Sequence, residues 1–114
     1  MLCPDLLFGS KVEGGLRAAG HDVQRFGRAD EAHAAAPHAD LLVVDLTDPD
    51  LDGAGLVAAM KAAGELDRCS TLGFYAHVHP ETRKSAEEAG FDRVVPRSRM
   101  AREMAALAGA LVGV

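Results

Sequence analysis

The chain has 114 residues and a net charge of −5 at pH 7, and 48% of its residues are hydrophobic. This length suits one domain with a real core and is too short for two domains. No apolar run approaches the roughly 20 residues that a membrane helix requires. The acidic balance argues against a nucleic-acid partner, because proteins that bind phosphate backbones usually carry a basic face. We therefore expect residues 1–114 to form a single domain with neither a membrane nor a nucleic acid as its partner.

The two cysteines and the first residues of the chain indicate the cellular compartment in which the protein works. Cys3 and Cys69 lack the spacing of a metal site. The first residues show no basic segment followed by an apolar stretch, which is the pattern of a signal peptide. Thiols without a secretion signal are typical of a reducing compartment. We expect a cytoplasmic location and a structural role for both cysteines.

Apolar runs alternate with helical patterns along the first part of the chain. Leu6-Leu7-Phe8 predicts a first strand that ends at Gly9-Ser10, and residues 12–19 predict a helix. The alternation over residues 21–26 predicts a second strand, and the alanine-rich residues 29–36 predict a second helix.

The strongest strand signal is the apolar run Leu41–Val44, which is hydrophobic on both faces, as a central parallel strand must be. An acidic loop at 48–53 follows it. The remaining predicted elements are a helix at 54–64, a strand at 71–75, a helix at 80–90, a strand at 94–95 and a final helix with an apolar stripe from Met100 to Leu111.

Five repeats of strand then helix predict a doubly wound (βα)₅ fold of the flavodoxin-like type. Its five-stranded parallel sheet would be covered by helices on both faces in a three-layer sandwich. Ligands of such sheets bind at the carboxyl ends of the strands. Asp45 directly follows the apolar run of the third strand, so we expect its carboxylate at that edge.

The residues after Asp45 give the pattern a more specific meaning. Pro49 follows four residues later, and Asp52-Gly53 follow seven and eight residues later. With Ala89-Gly90-Phe91-Asp92 before the last strand, the chain resembles the receiver domain of bacterial response regulators, the CheY-like family of two-component phosphorelay signal transduction. The resemblance implies that Asp45 stands in the phospho-acceptor position. It also implies protein partners, namely a histidine kinase, an effector domain or a second copy.

Other positions depart from the family pattern. The family has an acidic pair after the first strand, which helps to hold Mg²⁺ beside the acceptor, and the predicted strand places Gly9 and Ser10 there. Asp5 would lie at the opposite end of that strand, about 10 Å or more away. Tyr75 stands where the family has Thr or Ser, and Arg97 where it has Lys. Arginine is larger than lysine and does not replace it at every site.

These departures predict a degenerate, or pseudo-, receiver. Without the acidic pair, Mg²⁺ would lack the several hard oxygen ligands that it requires. We expect weak or no Mg²⁺-dependent phosphorylation of Asp45, no enzymatic activity and no resident cofactor. The domain would then act by protein–protein interaction, or as a homodimer through its last two helices and fifth strand. The alternative is a phosphorylatable receiver.

Less specific patterns favour other ligands. Asp48-x-Asp50-x-Asp52-Gly53 is similar to a calcium loop, but the twelfth position is Ala59 rather than the required Glu, so helix capping is the favoured explanation of the carboxylates. His77 and His79 follow the fourth strand and could bind a metal with Asp45. A small flavodoxin-like nucleotide-binding protein would share the fold, although the first loop carries no phosphate-binding motif.

Overall fold

The computed structural model describes residues 1–76 and 80–113. Its helices are α1 (Leu6–Ala18), α2 (Ala29–Ala35), α3 (Gly53–Ala62), α4 (Pro80–Ala89) and α5 (Arg97–Val112), and its strands are β1 (Leu41–Asp45), β2 (Ser70–Tyr75) and β3 (Arg93–Pro96). Short 3₁₀ turns occupy Ala36–His38 and Pro49–Leu51. None of the helices in this described part of the chain is long and apolar enough to cross a membrane.

The three strands form a parallel sheet in the order β1-β2-β3. Beyond β1, Leu2 makes isolated parallel bridges to Val44 on one side and to Phe26 on the other. The predicted doubly wound α/β arrangement is therefore confirmed. The prediction of five strands is not confirmed, because the described residues form three strands and the other two positions are reduced to single bridging residues.

The predicted first strand was wrong. Leu6 and Leu7 begin α1 instead, because the Asp5 carboxylate caps the helix by accepting a hydrogen bond from the Phe8 N–H at 3.0 Å. Phe8, Val12 and Leu16 then recur every four residues and are buried along one face of α1. The real first bridging segment is Met1–Cys3. It is held by hydrogen bonds from the Leu2 N–H to the Val43 carbonyl and from the Asp45 N–H to the Leu2 carbonyl.

Helices cover both faces of the sheet, and each face has its own hydrophobic cluster. One cluster joins the sheet to α1 and α5 through residues such as Val43, Phe8 and Met100. The other joins it to α2, α3 and α4 through residues such as Val44 and Met60. Neighbouring residues of β1 point to opposite faces, so Val43 and Val44 enter different clusters. This sandwich leaves the carboxyl edge of the sheet as the place where polar side chains gather.

Candidate functional site

Asp45 is the last residue of β1 and is buried, with 4% of its surface exposed. The strand delivers its carboxylate to the carboxyl edge of the sheet, where the Thr47 N–H donates a hydrogen bond to Asp45 Oδ1 at 2.8 Å. A backbone donor compensates part of the cost of burying a carboxylate. The sequence-based placement of Asp45 at this edge agrees with the structure.

Cys3 lies against Asp45, which the sequence alone did not indicate. Its sulfur is 3.7 Å from Asp45 Oδ2 and 3.8 Å from the Asp5 carbonyl oxygen. Burial, followed by the negative charge of Asp45, raises the pKa of the Cys3 thiol to about 11. The thiol therefore stays protonated at neutral pH and acts as a weak hydrogen-bond donor to the carboxylate.

Asp5 lies on the same edge, and its predicted position at the far end of a strand was wrong. It follows the bridging segment Met1–Cys3 and precedes α1, so it comes after the first extended segment rather than before it. One carboxylate oxygen caps α1, and the other accepts a hydrogen bond from Arg97 Nη2 at 2.8 Å. The hydrogen bond from the Phe8 N–H and the contact with Arg97 hold the pKa of Asp5 below its ordinary value.

Arg97 reaches this edge from the first position of α5, directly after β3. Besides its ion pair with Asp5, its guanidinium carbon lies 4.1 Å from the centre of the Phe8 ring. The Phe8 ring in turn lies 5.1 Å from that of Phe74 on β2. A cation, an aromatic pair and a carboxylate thus connect the starts of α1 and α5 across the sheet edge.

Gly9 and Ser10 do not lie where the acidic pair was expected, so that assignment was wrong. Both are inside α1, one turn beyond its cap. Ser10 is exposed and its hydroxyl accepts a hydrogen bond from Arg25 Nη1 at 3.1 Å. A Cβ at Gly9 would meet the same arginine at 2.7 Å. These two residues therefore pack against Arg25.

Tyr75 is the last residue of β2, as expected, and is buried with 4% of its surface exposed. It pairs in register with Pro96 of β3, and the preceding Phe74 pairs with Asp45 of β1. The side chain that ends β2 at the carboxyl edge is therefore a large ring rather than a small hydroxyl group.

The acidic loop after Asp45 is used for capping. Asp48 accepts a hydrogen bond from the Asp50 N–H at 2.9 Å, and Asp52 accepts one from the Gly55 N–H at 3.1 Å at the start of α3. Within residues 1–76 and 80–113, no group of three or more His, Cys, Asp or Glu side chains is arranged to hold a metal ion. His77 and His79 lie outside the described residues.

The donors at this edge do not fit Mg²⁺, which requires several hard oxygen ligands in near-octahedral geometry. Both Asp5 carboxylate oxygens are already engaged, and Asp45 faces a thiol. Sulfur is a poor ligand for Mg²⁺. Pro4 occupies the other position between Cys3 and α1 and supplies no side-chain oxygen.

Two of these residues were missed by sequence reasoning. The signal for Asp5 was its place as a helix cap before the spaced residues Phe8, Val12 and Leu16. Once α1 begins at Leu6, the preceding residues must supply the bridging segment, and Asp5 moves to the carboxyl edge. No sequence signal pointed to the contact between Cys3 and Asp45, which depends on the bridging of Leu2 between Phe26 and Val44.

Comparisons with known proteins identify the fold. No protein-family model and no curated protein matches the chain, but many solved structures do. The receiver domain of a sensor histidine kinase from Pseudomonas aeruginosa, with a magnesium ion coordinated in its active site cleft, has a TM-score of 0.84 at 18% identity over 99% of this chain and 94% of that one. The receiver domain of NtrX from Brucella abortus has a TM-score of 0.81 at 20% identity over 99% of this chain and 96% of that one. The chemotaxis protein CheY4 from Vibrio cholerae has a TM-score of 0.82 at 18% identity over 96% of this chain and 93% of that one.

The chain thus has the fold of response-regulator receiver domains. The CheY-like, flavodoxin-like architecture that the sequence predicted is confirmed. Because these identities lie at or below 20%, what the site does must come from its own residues.

Proposed function

We propose that this chain is a receiver-like signalling domain that acts by protein–protein interaction, with weak or no Mg²⁺-dependent phosphorylation of Asp45. The observation that carries the proposal is the state of Asp5. Its two carboxylate oxygens are occupied by the Phe8 N–H and by Arg97 Nη2, at 3.0 and 2.8 Å. This is the one acidic side chain that the described structure places directly after the bridging segment Met1–Cys3.

The chemistry of phosphoryl transfer explains why this matters. A carboxylate that attacks an anionic phosphoryl group needs nearby positive charge, usually a metal ion that neutralises the transferring oxygens. Asp45 has instead a protonated thiol at 3.7 Å, and Tyr75 ends the neighbouring strand with a bulky ring. Among residues 1–76 and 80–113, the edge therefore offers no set of ligands for a metal beside Asp45.

A phosphorylatable receiver is the second candidate. It is favoured by the position of Asp45 at the carboxyl edge, where the Thr47 N–H donates to it, and by the presence of Asp5 on the same edge. If Mg²⁺ displaced Arg97 from Asp5, one carboxylate would become available. A single phosphorylation assay decides between the two candidates.

The test is to incubate the protein with Mg²⁺ and acetyl phosphate and to measure phosphorylation of Asp45 by intact mass spectrometry. Asp45→Asn is the matched control, since it keeps an oxygen for the Thr47 N–H. We expect the protein and its control to give the same spectrum. The chain has no tryptophan, so NMR rather than fluorescence follows the binding of beryllofluoride. Adding beryllofluoride with Mg²⁺ should leave the NMR spectrum of the protein unchanged. Stoichiometric modification that is lost in Asp45→Asn would establish the phosphorylatable receiver instead.

A gain-of-function variant shows that the assay can detect phosphorylation. Pro4→Asp combined with Arg97→Lys supplies a second acid after the bridging segment and a cation that can leave Asp5. We expect this double variant to be modified faster than the parent protein, because Mg²⁺ would then have two carboxylates besides Asp45. Equal, rapid modification of the parent and the double variant would contradict the proposal.

The surface formed by α4, β3 and α5 is the proposed partner surface, including for a second copy. Its exposed charges pair inside their own helices, at 3.0 Å for Arg83–Glu87 and 3.0 Å for Arg99–Glu103. Such exposed pairs contribute little to stability and can be exchanged for pairs with a partner. Sedimentation analysis of the protein against Arg83→Glu tests the homodimer, which the charge reversal should weaken. A monomer at every concentration in both proteins would leave another protein as the partner.

A further inference from the structure

The starts of α1 and α5 meet at the acceptor edge through three side chains. Arg97 Nη2 lies 2.8 Å from Asp5 Oδ2, and the Arg97 guanidinium lies over the Phe8 ring with its carbon 4.1 Å from the ring centre. About a third of each charged side chain is exposed, at 33% for Arg97 and 37% for Asp5. We call this group, Asp5, Phe8 and Arg97, the arginine clamp.

The location of Arg97 is unfavourable for its own helix. A cation at a helix N-terminus opposes the helix dipole, whose positive end lies there. The first turn of α5 contains no acidic residue, and its cap makes no side-chain hydrogen bond. The guanidinium therefore gains its stabilisation from outside α5, and the contacts that supply it are Asp5 and the Phe8 ring.

We propose that the Arg97 guanidinium is a built-in counter-cation that holds Asp5 in place of a divalent metal and makes this edge independent of Mg²⁺. The inference rests on the proposed function and deepens it, because it names the residue that replaces the metal. Arginine suits this role since it stays protonated and its planar group can stack on a ring while it donates to a carboxylate.

The clamp also explains how the edge is held in one arrangement. Phe8 contacts Phe74 with ring centres 5.1 Å apart, and Phe74 lies beside Asp45 in the register of β1 and β2. Cys3 contributes a neutral thiol between Asp45 and the Asp5 carbonyl. The cation thus contacts one carboxylate and the thiol contacts the other, so both contacts come from the chain itself.

Thermal unfolding with and without Mg²⁺ tests the inference. The melting temperature of the unmodified protein should be the same in about 10 mM Mg²⁺ as in EDTA, since a ligand shifts stability only if it binds the folded state. Arg97→Met keeps the stem over Phe8 but removes the charge, and should lower the melting temperature in EDTA by about 2–5 °C. Mg²⁺ should then raise the melting temperature of Arg97→Met, because Asp5 has lost its cation. The double variant Asp5→Asn/Arg97→Met should not respond to Mg²⁺.

Arg102→Met is the matched control, because Arg102 is an exposed arginine of the same helix. It should change neither the melting temperature by more than about 1 °C nor the response to Mg²⁺. If Arg97→Met does not fold, Arg97→Lys serves in its place, since it keeps the charge and loses the planar contact. Arg97→Lys should be less stable than the parent, and Mg²⁺ should raise its melting temperature while leaving that of the parent unchanged.

Two results would overturn the inference. One is a Mg²⁺ response of the unmodified protein equal to that of the Arg97 variant, and the other is a variant with no Mg²⁺ response. Neither measurement involves phosphorylation or a partner. The inference can therefore fail while Asp45 stays unmodified by acetyl phosphate, and rapid phosphorylation of Asp45 would instead remove the proposed function.

Discussion

The sulfur of Cys3 contacts the carboxylate of Asp45, with 3.7 Å between Sγ and Oδ2. Both residues are buried, with 2% of Cys3 and 4% of Asp45 exposed. A thiol in this position is a weak donor whose proton is held firmly, because a thiolate there would be desolvated and would face the negative charge of Asp45. The Asp45 carboxylate at the carboxyl edge of the sheet is thus shielded on one side by a neutral group.

The contact predicts how Asp45 controls the reactivity of Cys3. Asp45→Asn should lower the pKa of the thiol and speed its labelling by a disulfide reagent at pH 9 by about two- to fivefold, since the thiolate is the reacting form. The measurement uses the Cys69→Ser background, which leaves Cys3 as the one thiol. Asp40→Asn in the same background is the control, because the Asp40 charge acts on the pKa of Cys69 and not on that of Cys3. An unchanged or slower rate in Asp45→Asn would contradict the assignment, provided the urea midpoint of unfolding is unchanged.

Asp5 makes stability depend on acid pH. Its pKa in the folded protein lies below the ordinary value of 3.8, so its contribution is present above that value and is lost as the pH falls through the folded pKa. Asp5→Asn should therefore be less stable than the parent at pH 7, and the difference should shrink as the pH falls below about 4. Urea unfolding at both pH values measures this. Asp22→Asn, an exposed carboxylate, should show no such convergence, and a constant difference for Asp5→Asn would argue against the capping and ion-pair roles.

Alanine substitutions at the adjacent glycines Gly14 and Gly15 of α1 should have different effects on stability. A Cβ at Gly14 would meet nothing within 4 Å, so Gly14→Ala should stabilise the helix by about 0.5–1 kcal/mol. A Cβ at Gly15 would overlap the side chain of Met104 on α5, which is buried. Gly15→Ala should therefore be less stable than Gly14→Ala, because Met104 must leave its packed position. Urea unfolding of the two variants provides the comparison, and equal stabilisation by both would show that α1 and α5 are not closely packed here.

Asp52 tests whether the acidic loop serves as a cap. It has a left-handed backbone with φ of +45° and caps α3 through the Gly55 N–H. Asp52→Ala should cost about 1–2 kcal/mol, because it loses the hydrogen bond and keeps the strained backbone. Asp52→Gly should cost less, since it relieves the strain, and Asp52→Asn should be closest to the parent, since it keeps an acceptor and tolerates this conformation. The reverse order in urea unfolding would exclude the capping role.

Most of the helices and all three strands follow from local patterns. The apolar run Leu41–Val44 predicted β1 because burial on both faces removes the polar alternation of an exposed strand. Pro80 marked the start of α4, and the stripe beginning at Met100 marked the buried face of α5. Asp45 was placed correctly for the same reason, since a strand's end fixes which sheet edge its last side chain reaches.

The start of the chain was predicted wrongly because short apolar runs fit a strand and a helix equally well. Leu6 and Leu7 are exposed, at 74% and 87%, although their chemistry suggested a buried strand. Their neighbours decide that these residues form a helix and not a strand, through the Asp5 cap and the packing of Phe8 against Phe74. A single bridging residue such as Leu2 carries no period that a pattern could detect.

The sequence by itself determined the layered α/β order and the place of Asp45, because periodicity and turn residues act over a few neighbouring positions. The surroundings of Asp45 were decided by tertiary structure alone. The Arg97–Asp5 pair joins residues 92 positions apart, and the Cys3–Asp45 contact joins residues 42 apart. Such contacts form when distant segments meet at one sheet edge, so their chemistry is a property of the folded chain.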